Sequence, residues 1–484
     1  MFDVVIIGCG VTGAATAYYL SKYDIKTAVL EAENDVAMGA TKANSAVMHA
    51  GYDPKNGSLM ARLNVRGSML AKEICAKLDV PYRQVGSLVI AFDEKEDIHL
   101  RQLYENGVKN GVENLKILSG AETLDMEPNL SPYITSSLYA PSAAITSPWE
   151  YALAMTETAV KNGVNLYLKT KVEDIKKHGE KWLITTNKGD FEAKYVINAA
   201  GINAQKIHET VNPKRFETQI SRGEYYLLDK SEGNTVNHII FQCPTQKGKG
   251  VLVLPTVHGN LLVGPNADII TDSTDTANTM DGMEFIGNMA RKSVPHINLK
   301  QSIRNFAGLR SNTDQNDFII EWAQPGFMNL AGIKSPGLTA AAAIGEYAVE
   351  MLKNAGVRLT EKENFTDSRK KLRFRELTAE EKQNVIEQNP AYGRIICRCE
   401  TITEGEIIDA CHSVIPPCSI DGVKRRTNAG MGRCQGGFCG PRVMEILCRK
   451  LNISPLEITQ DGENSIILTG YTKQGGDGND IQSI

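Results

Sequence analysis

The most specific chemistry in this chain is carried by four cysteines near its end. Cys397-Arg398-Cys399 and Cys434-Gln435-Gly436-Gly437-Phe438-Cys439 form two tight pairs, the second on a glycine-rich loop that leads into a helical pattern over 441–451. Four thiols so arranged meet the four-thiolate demand of a [2Fe–2S] cluster. Zinc is the rival, yet structural zinc sites usually separate paired cysteines by two to four residues, and Cys-x-Cys is unusual there. Cys411, Cys418 and Cys448 crowd into the same stretch, whereas Cys9, Cys75 and Cys243 are scattered. In a reducing compartment such crowding speaks for metal or redox chemistry rather than disulfides. The three cysteines outside the pairs are expected to be buried structural thiols.

A second chemical signature opens the chain. Phe2 to Ile7 is an apolar run, Gly8-Cys9-Gly10-Val11-Thr12-Gly13 a glycine turn, Ala14 to Lys22 a helical run, and Thr27 to Glu31 a second apolar run ending in an acid. This is the βαβ unit that holds a dinucleotide. Gly8 makes the tight turn, Gly10 lets the backbone approach the pyrophosphate, and Gly13 lets helix and strand pack closely. The helix N-terminus offers N–H groups to the phosphates, and Glu31 would accept from the ribose hydroxyls. The motif alone does not separate FAD from NAD; its place at the start of the chain favours FAD.

Between these ends lie side chains that could handle a substrate. Met38 to Gly51 is a loop of small residues in which His49 stands out, either as a packed or capping histidine or as an acid–base group beside a flat cofactor. Arg222, His258, Arg304 and Arg310 lie in or just after a strand-rich region, and an anionic substrate would be held best by at least one pocket arginine.

These groups need elements to position them. Residues 58–78, 97–111 and 148–161 read as helices, the last with proline in its first turn, and 86–92 as a strand. Short alternating strands over 165–194 feed the run Tyr195 to Gly201, whose Ala199-Ala200-Gly201 end suits a return to the nucleotide sheet, where only small residues fit. Residues 206–305 are dominated by strands, at 224–228, 238–242, 250–255 and 260–264, and suggest an inserted antiparallel sheet. Phe327 to Thr339 reads as strand, Ser-Pro-Gly turn and the start of an alanine-rich helix to Leu352, a second helix N-terminus that could favour negative charge on a cofactor. The charged stretch 353–390, including Arg369-Lys370-Lys371-Leu372-Arg373-Phe374-Arg375, reads as a solvated connection.

At 484 residues the chain has room for about three domains. A net charge of −4 gives no reason to expect nucleic acid. No apolar run approaches the roughly 20 residues that span a bilayer, and the start lacks the features of a signal peptide. A cytoplasmic location is expected, with membrane contact at most peripheral through a partner.

The opening motif, the Ala-Ala-Gly strand, Ala307-Gly308-Leu309-Arg310 and the turn from Gly332 to Thr339 together resemble the FAD-dependent family that includes D-amino-acid oxidase, glycerol-3-phosphate dehydrogenase and L-2-hydroxyglutarate dehydrogenase, over about residues 1–355. Asn44 to Gly51, Arg222 to Tyr226, Gly264-Pro265-Asn266-Ala267 and Ser335-Pro336-Gly337 resemble the hydroxyglutarate branch most closely, although Tyr52-Asp53-Pro54 departs from it. Ile396 to Glu400 with Gly430 to Gly436 is similar to the bacterioferritin-associated-ferredoxin-like module, which also ends the large subunit of anaerobic glycerol-3-phosphate dehydrogenase.

The resemblance implies an α/β plus α+β architecture: a Rossmann-like FAD-binding domain (1–80, 146–205 and 306–355), an inserted antiparallel-sheet substrate domain (81–145 and 206–305), a linker (356–392) and a small cysteine-rich iron–sulfur domain (393–484). It implies FAD held by Gly8, Gly10, Thr12, Gly13, Glu31, Thr41, Asn44, Ser45, Val172, Ala200, Gly201, Gly332, Pro336, Gly337, Leu338 and Thr339, and a [2Fe–2S] cluster on Cys397, Cys399, Cys434 and Cys439. His49 would lie near the flavin and Arg310 would face the substrate anion, with His258 and Arg222 as further catalytic candidates. The expected function is a dehydrogenase of a small anionic hydroxy substrate that passes electrons to a partner protein. sn-Glycerol 3-phosphate leads, L-2-hydroxyglutarate or another 2-hydroxy acid follows, and an amino acid is third; a non-catalytic electron-transfer subunit is the remaining alternative.

Overall fold

A computed structural model describes residues 1–244 and 250–470. The chain divides into two units, Met1–Lys371 and the part from Leu372 onward.

In the first unit the strand Phe2–Ile7 lies between Thr27–Leu30 and Gly189–Asn198, parallel to both. Its last four residues are buried, as a near-continuous apolar run in a parallel sheet requires. The returning strand also pairs in parallel with Phe327–Ala331, through Val196, Ile197 and Asn198. Four segments distant in sequence therefore end at one sheet edge. The helix Val11–Leu20 is buried on every side, which its small residues allow. A Cβ on Gly345 would stand 2.8 Å from the Ala15 backbone, so the helix Gly337–Asn354 crosses the opening helix at near backbone contact.

The second sheet has nine strands in the order 268–269, 218–228, 261–264, 252–255, 239–242, 87–91, 136–140 and 116–119, with Ser302–Thr313 paired to Thr218–Leu228. Two expectations change here. The long strand Ser302–Thr313 carries residues 306–313 into this sheet and not into the nucleotide-binding part. The region also holds a helix, Met280–Ser293, which buries Met283, Ile286 and Ala290.

The charged connection is solvated in its later part, where the helix Ala379–Gln388 buries no residue, but not in its first. Its first part belongs to the first unit and docks there: the Asn162 side chain exchanges hydrogen bonds with the Thr366 backbone, and Arg369 Nε donates to Glu157 at 2.8 Å. Arg369 and Lys371 both reach Glu150, whose side chain is 1% exposed. A buried carboxylate needs such partners.

The second unit packs helices Glu404–Cys411, Ile420–Thr427 and Gly440–Leu451 with the strands Ile395–Cys397 and Ile402–Thr403 around Ile407, Val423, Val443 and Leu447. Cys411 is a buried part of this core, its thiol pushed up to about 11 by burial, while Cys448 packs at its edge and Cys418 is half-buried.

Candidate functional site

The glycine turn is built around close approaches. Gly8 has φ +97°, and a Cβ there would stand 2.6 Å from the Ala199 carbonyl oxygen; a Cβ on Gly13 would stand 2.0 Å from the Gly8 oxygen. Gly10 differs, because a Cβ there meets only Thr41 Oγ1, at 3.3 Å. Space therefore opens in front of Gly10 and the first-turn N–H groups of the helix, where the protein offers donors without filling the cradle. Thr41 Oγ1 accepts from Val11 N at 2.9 Å, and Thr12 is buried in the same turn.

Glu31 is buried and accepts from Cys9 N at 2.6 Å and Glu33 N at 3.0 Å. Burial pushes its carboxyl up, against the lowering effect of these two donors. Its carbonyl receives Thr170 N at 2.8 Å, and Val172 packs with Ile7 and Leu30, so the 169–172 segment runs along the same end. Gly201 turns out of the Ala-Ala-Gly strand with φ +58°. The opening thus fits the dinucleotide: a bare cradle, a helix N-terminus and a carboxylate at the sheet edge.

A second group forms where the last helix of the nucleotide unit begins. Thr339 is buried in its first turn, accepts from His49 N at 2.8 Å and donates to Val47 O at 3.4 Å. His49 Nε2 lies 3.3 Å from Ser335 Oγ, and its ring is 5.8 Å from that of Phe241. His49, Tyr52, Phe241, Gln242 and Pro336 line one cleft. Gly332 has φ +62° against Thr313; Pro336 and Gly337 are buried, and Leu338 is half-buried. Asn44 caps its own loop, accepting from Ala46 N at 2.7 Å, and Ser45 Oγ meets the Tyr225 hydroxyl at 3.4 Å.

Arg310 enters from the substrate sheet. Its strand passes so close to the cofactor loop that a Cβ on Gly308 would stand 1.9 Å from the Ala43 oxygen. Ser311 Oγ donates to Ile333 O at 3.1 Å, so the turn from Ile333 to Pro336 touches both the His49 ring and the Arg310 strand. Arg310 Nη2 donates to the Asn266 carbonyl at 3.1 Å.

Arg222 and His258 do not join this group. Arg222 is buried and committed to Asp275 at 2.5 Å and Glu224 at 3.3 Å. His258 stacks on Trp149, with ring centroids 6.0 Å apart, at the turn after Pro255. Leu252 pairs with Gly264 and Pro255 with Leu261, so His258 sits at the opposite end of its hairpin from the Gly264-Pro265-Asn266 segment that holds Arg310. Arg304 is exposed. Asn266 and Ser335 lie in two segments that carry the family resemblance, but only the fold supplies the partners, Arg310 and His49, that bring them into the site.

In the second unit the four thiols meet as two pairs. Cys399 Sγ lies 3.7 Å from Cys434 Sγ, and Cys397 pairs with Cys439. Among the described residues no group of three or more such side chains is placed to hold a single metal ion. The Cys439 thiol and the Gly430 and Glu400 N–H groups bring Cys397 down to about 6 against burial. Burial raises Cys434, but N–H donation from Phe438 and Gly436 and the Cys399 thiol outweigh it. Gly432 gives way to the loop carrying Cys399, since a Cβ there would stand 2.2 Å from the Cys399 Cβ. Paired thiols with N–H donors on sulfur fit an iron–sulfur cluster.

Family models agree with both halves. Residues 3–351 match "FAD dependent oxidoreductase" and residues 395–449 match "BFD-like [2Fe-2S] binding domain". The chain belongs to the FAD-dependent oxidoreductase family. As a member of that family it is an FAD-dependent oxidoreductase with a C-terminal [2Fe–2S]-binding domain. It is 50% identical to a glycerol 3-phosphate dehydrogenase of Caloramator mitchellensis, over 98% of this chain and 99% of that one. It is 29% identical to the mitochondrial L-2-hydroxyglutarate dehydrogenase of Arabidopsis thaliana, over 71% of this chain and 82% of that one. Among solved structures it is similar to the L-α-glycerophosphate oxidase of Mycoplasma pneumoniae with FAD bound, at a TM-score of 0.72 and 34% identity, over 76% of this chain and 98% of that one. No described helix is long and apolar enough to cross a membrane.

Proposed function

We propose that this oxidoreductase converts sn-glycerol 3-phosphate to dihydroxyacetone phosphate. The observation that carries the reading is the end-to-end similarity, at 50% identity, to a protein named for that substrate. Bound FAD supplies the hydride acceptor. On this reading the chain's own residues do three things. The bare cradle at Gly10 and the helix N-terminus take the pyrophosphate. The Arg310 guanidinium, half-buried and with donors beyond the one given to Asn266, holds the substrate phosphate. His49 takes the hydroxyl proton at Nε2, its ring placed by Ser335 and by the Thr339 bond to its backbone. Phe241 and Tyr52 line the cleft with carbon and limit water.

Cys397, Cys399, Cys434 and Cys439 are assigned to the cluster, whose chemistry is one-electron transfer, and a separate acceptor protein is proposed to take the electrons in the cytoplasm. The division into nucleotide, substrate and iron–sulfur domains is proposed with 306–313 moved to the substrate part. L-2-Hydroxyglutarate is the second reading, favoured by the similarity to its dehydrogenase. Anaerobic mixing with glycerol 3-phosphate, L-2-hydroxyglutarate, L-lactate and amino acids decides: bleaching of the flavin band by the first alone is expected, and bleaching only by another compound overturns the assignment.

Arg310→Lys tests the anion contact. A point charge lacks the planar fork, so KM should rise about 10- to 100-fold, or roughly 1.4–2.7 kcal/mol. Steady-state kinetics with unchanged KM for every substrate would remove Arg310 from the site.

A further inference from the structure

We propose that Gly223 is a positioning residue for Arg310, and that its missing side chain is what lets the guanidinium lie where an anion can be held. This rests on the reading of Arg310 as the substrate-anion contact. Gly223 pairs with Gly308, two residues along from Ser221–Arg310 and one from Arg222–Leu309, on the strand beside that of Arg310. A Cβ on Gly223 would stand 2.2 Å from Arg310 Nη2 and 2.8 Å from its Cζ, with Pro265 Cβ at 3.0 Å. The guanidinium therefore occupies the volume that any other residue at 223 would fill.

Its far side is fixed as firmly. Nη2 donates to the Asn266 carbonyl, and the Asn266 side chain is itself held, with Oδ1 accepting from Glu224 N at 2.8 Å and Nδ2 donating to Asp268 at 2.7 Å. Glu224, fully buried, also accepts from Thr279 N at 2.9 Å at the cap of the helix Met280–Ser293. Arg310 is thus seated against a bare backbone on one side and a rigid carbonyl on the other. A seat of this kind removes the rotamer freedom that a long side chain would lose on binding, so less is lost when the anion arrives.

The geometry also says what a substitution would do. Gly223 is not among the positive-φ glycines, so alanine meets no backbone strain. The nearest atom is the far end of a flexible side chain, and the head of Arg310 would move while the sheet stays. Gly223→Ala should therefore fold and bind FAD as wild type does, yet raise KM for the anionic substrate about 20-fold or more, with a smaller change in kcat. A double-mutant cycle separates positioning from general damage. In an Arg310→Ala background Gly223→Ala should change KM by less than about twofold.

The measurement is steady-state kinetics on the full-length holoenzyme with whichever substrate wild type oxidises, alongside calorimetric binding of that substrate and thermal melting. An unchanged KM for Gly223→Ala, or the same fold-change in both backgrounds, overturns the proposal. If Arg310→Ala itself leaves KM unchanged, the reading of Arg310 fails instead. Should Gly223→Ala melt early, Gly223→Ser with a lower KM than the alanine variant would also count against it, since a larger group must displace Arg310 further.

Discussion

A Gly10→Val enzyme is expected to fold and to purify without FAD. The expectation follows from the contrast among the three glycines of the turn. A Cβ at Gly13 would run into the Gly8 oxygen at 2.0 Å and one at Gly8 into the Ala199 oxygen at 2.6 Å, so side chains there break the packing of helix on sheet. At Gly10 the backbone is extended, φ −68° and ψ −179°, a conformation valine adopts readily, and the protein leaves the space in front of it open but for Thr41 Oγ1. The added methyl groups would fill the path by which backbone approaches a pyrophosphate. FAD affinity should fall at least a hundredfold, about 2.7 kcal/mol, while far-ultraviolet circular dichroism stays that of the wild type. Flavin absorbance relative to protein absorbance reads the first and the dichroism the second. Stoichiometric flavin in the purified variant would mean that the pyrophosphate lies elsewhere. Gly13→Ala serves as the contrasting case and should lose folded protein along with flavin.

Cys434→Ser is expected to separate the two halves chemically. Its sulfur sits 3.7 Å from Cys399 and receives N–H donors from Phe438 and Gly436, so the change would remove one of the four thiolates proposed to hold the cluster. Iron and acid-labile sulfide should drop severalfold, together with the paramagnetic signal that the reduced wild type gives. FAD content and the bleaching of flavin by substrate in a single turnover should persist, because the residues proposed for that step lie within the first unit. Turnover with a one-electron protein acceptor should fall at least tenfold, about 1.4 kcal/mol. If the wild type instead carries zinc and no sulfide, the thiols only hold the domain together and the electron-relay role ends.

How much of this was legible beforehand depends on the range of the interactions involved. The nucleotide unit was, because glycines, an apolar run and a terminal acid lie within about thirty residues and local sterics set their geometry. The cysteine pairs were for the same reason. Arg222 was not. Its type suits a pocket cation, yet Glu224 stands two residues on in the same strand and so on the same face, a pairing signal present in the sequence itself. The helix Met280–Ser293 was missed although Met283, Ile286 and Ala290 recur at helical spacing, because the neighbouring strands coloured the whole segment. His258 could not have been placed, since only the hairpin register sets it at the end away from Asn266. Nor could Arg369, whose carboxylate partners are far off in the chain.

That last contact decides where the molecule can be divided. The helix Gly337–Asn354 ends the family match within a few residues, which invites a stop codon there to isolate the flavin half. Such a chain would discard Arg369 and Lys371 and so take from Glu150, sealed from water at 1% exposure, the two cations that reach it. Breaking a buried pair from one side costs about 3–5 kcal/mol, a large part of the stability a domain possesses. A flavin half ended at Asn354 would be prone to aggregate and to shed its cofactor, and its failure would be misread as dependence on the iron–sulfur half. The seam for separate production lies after Lys371.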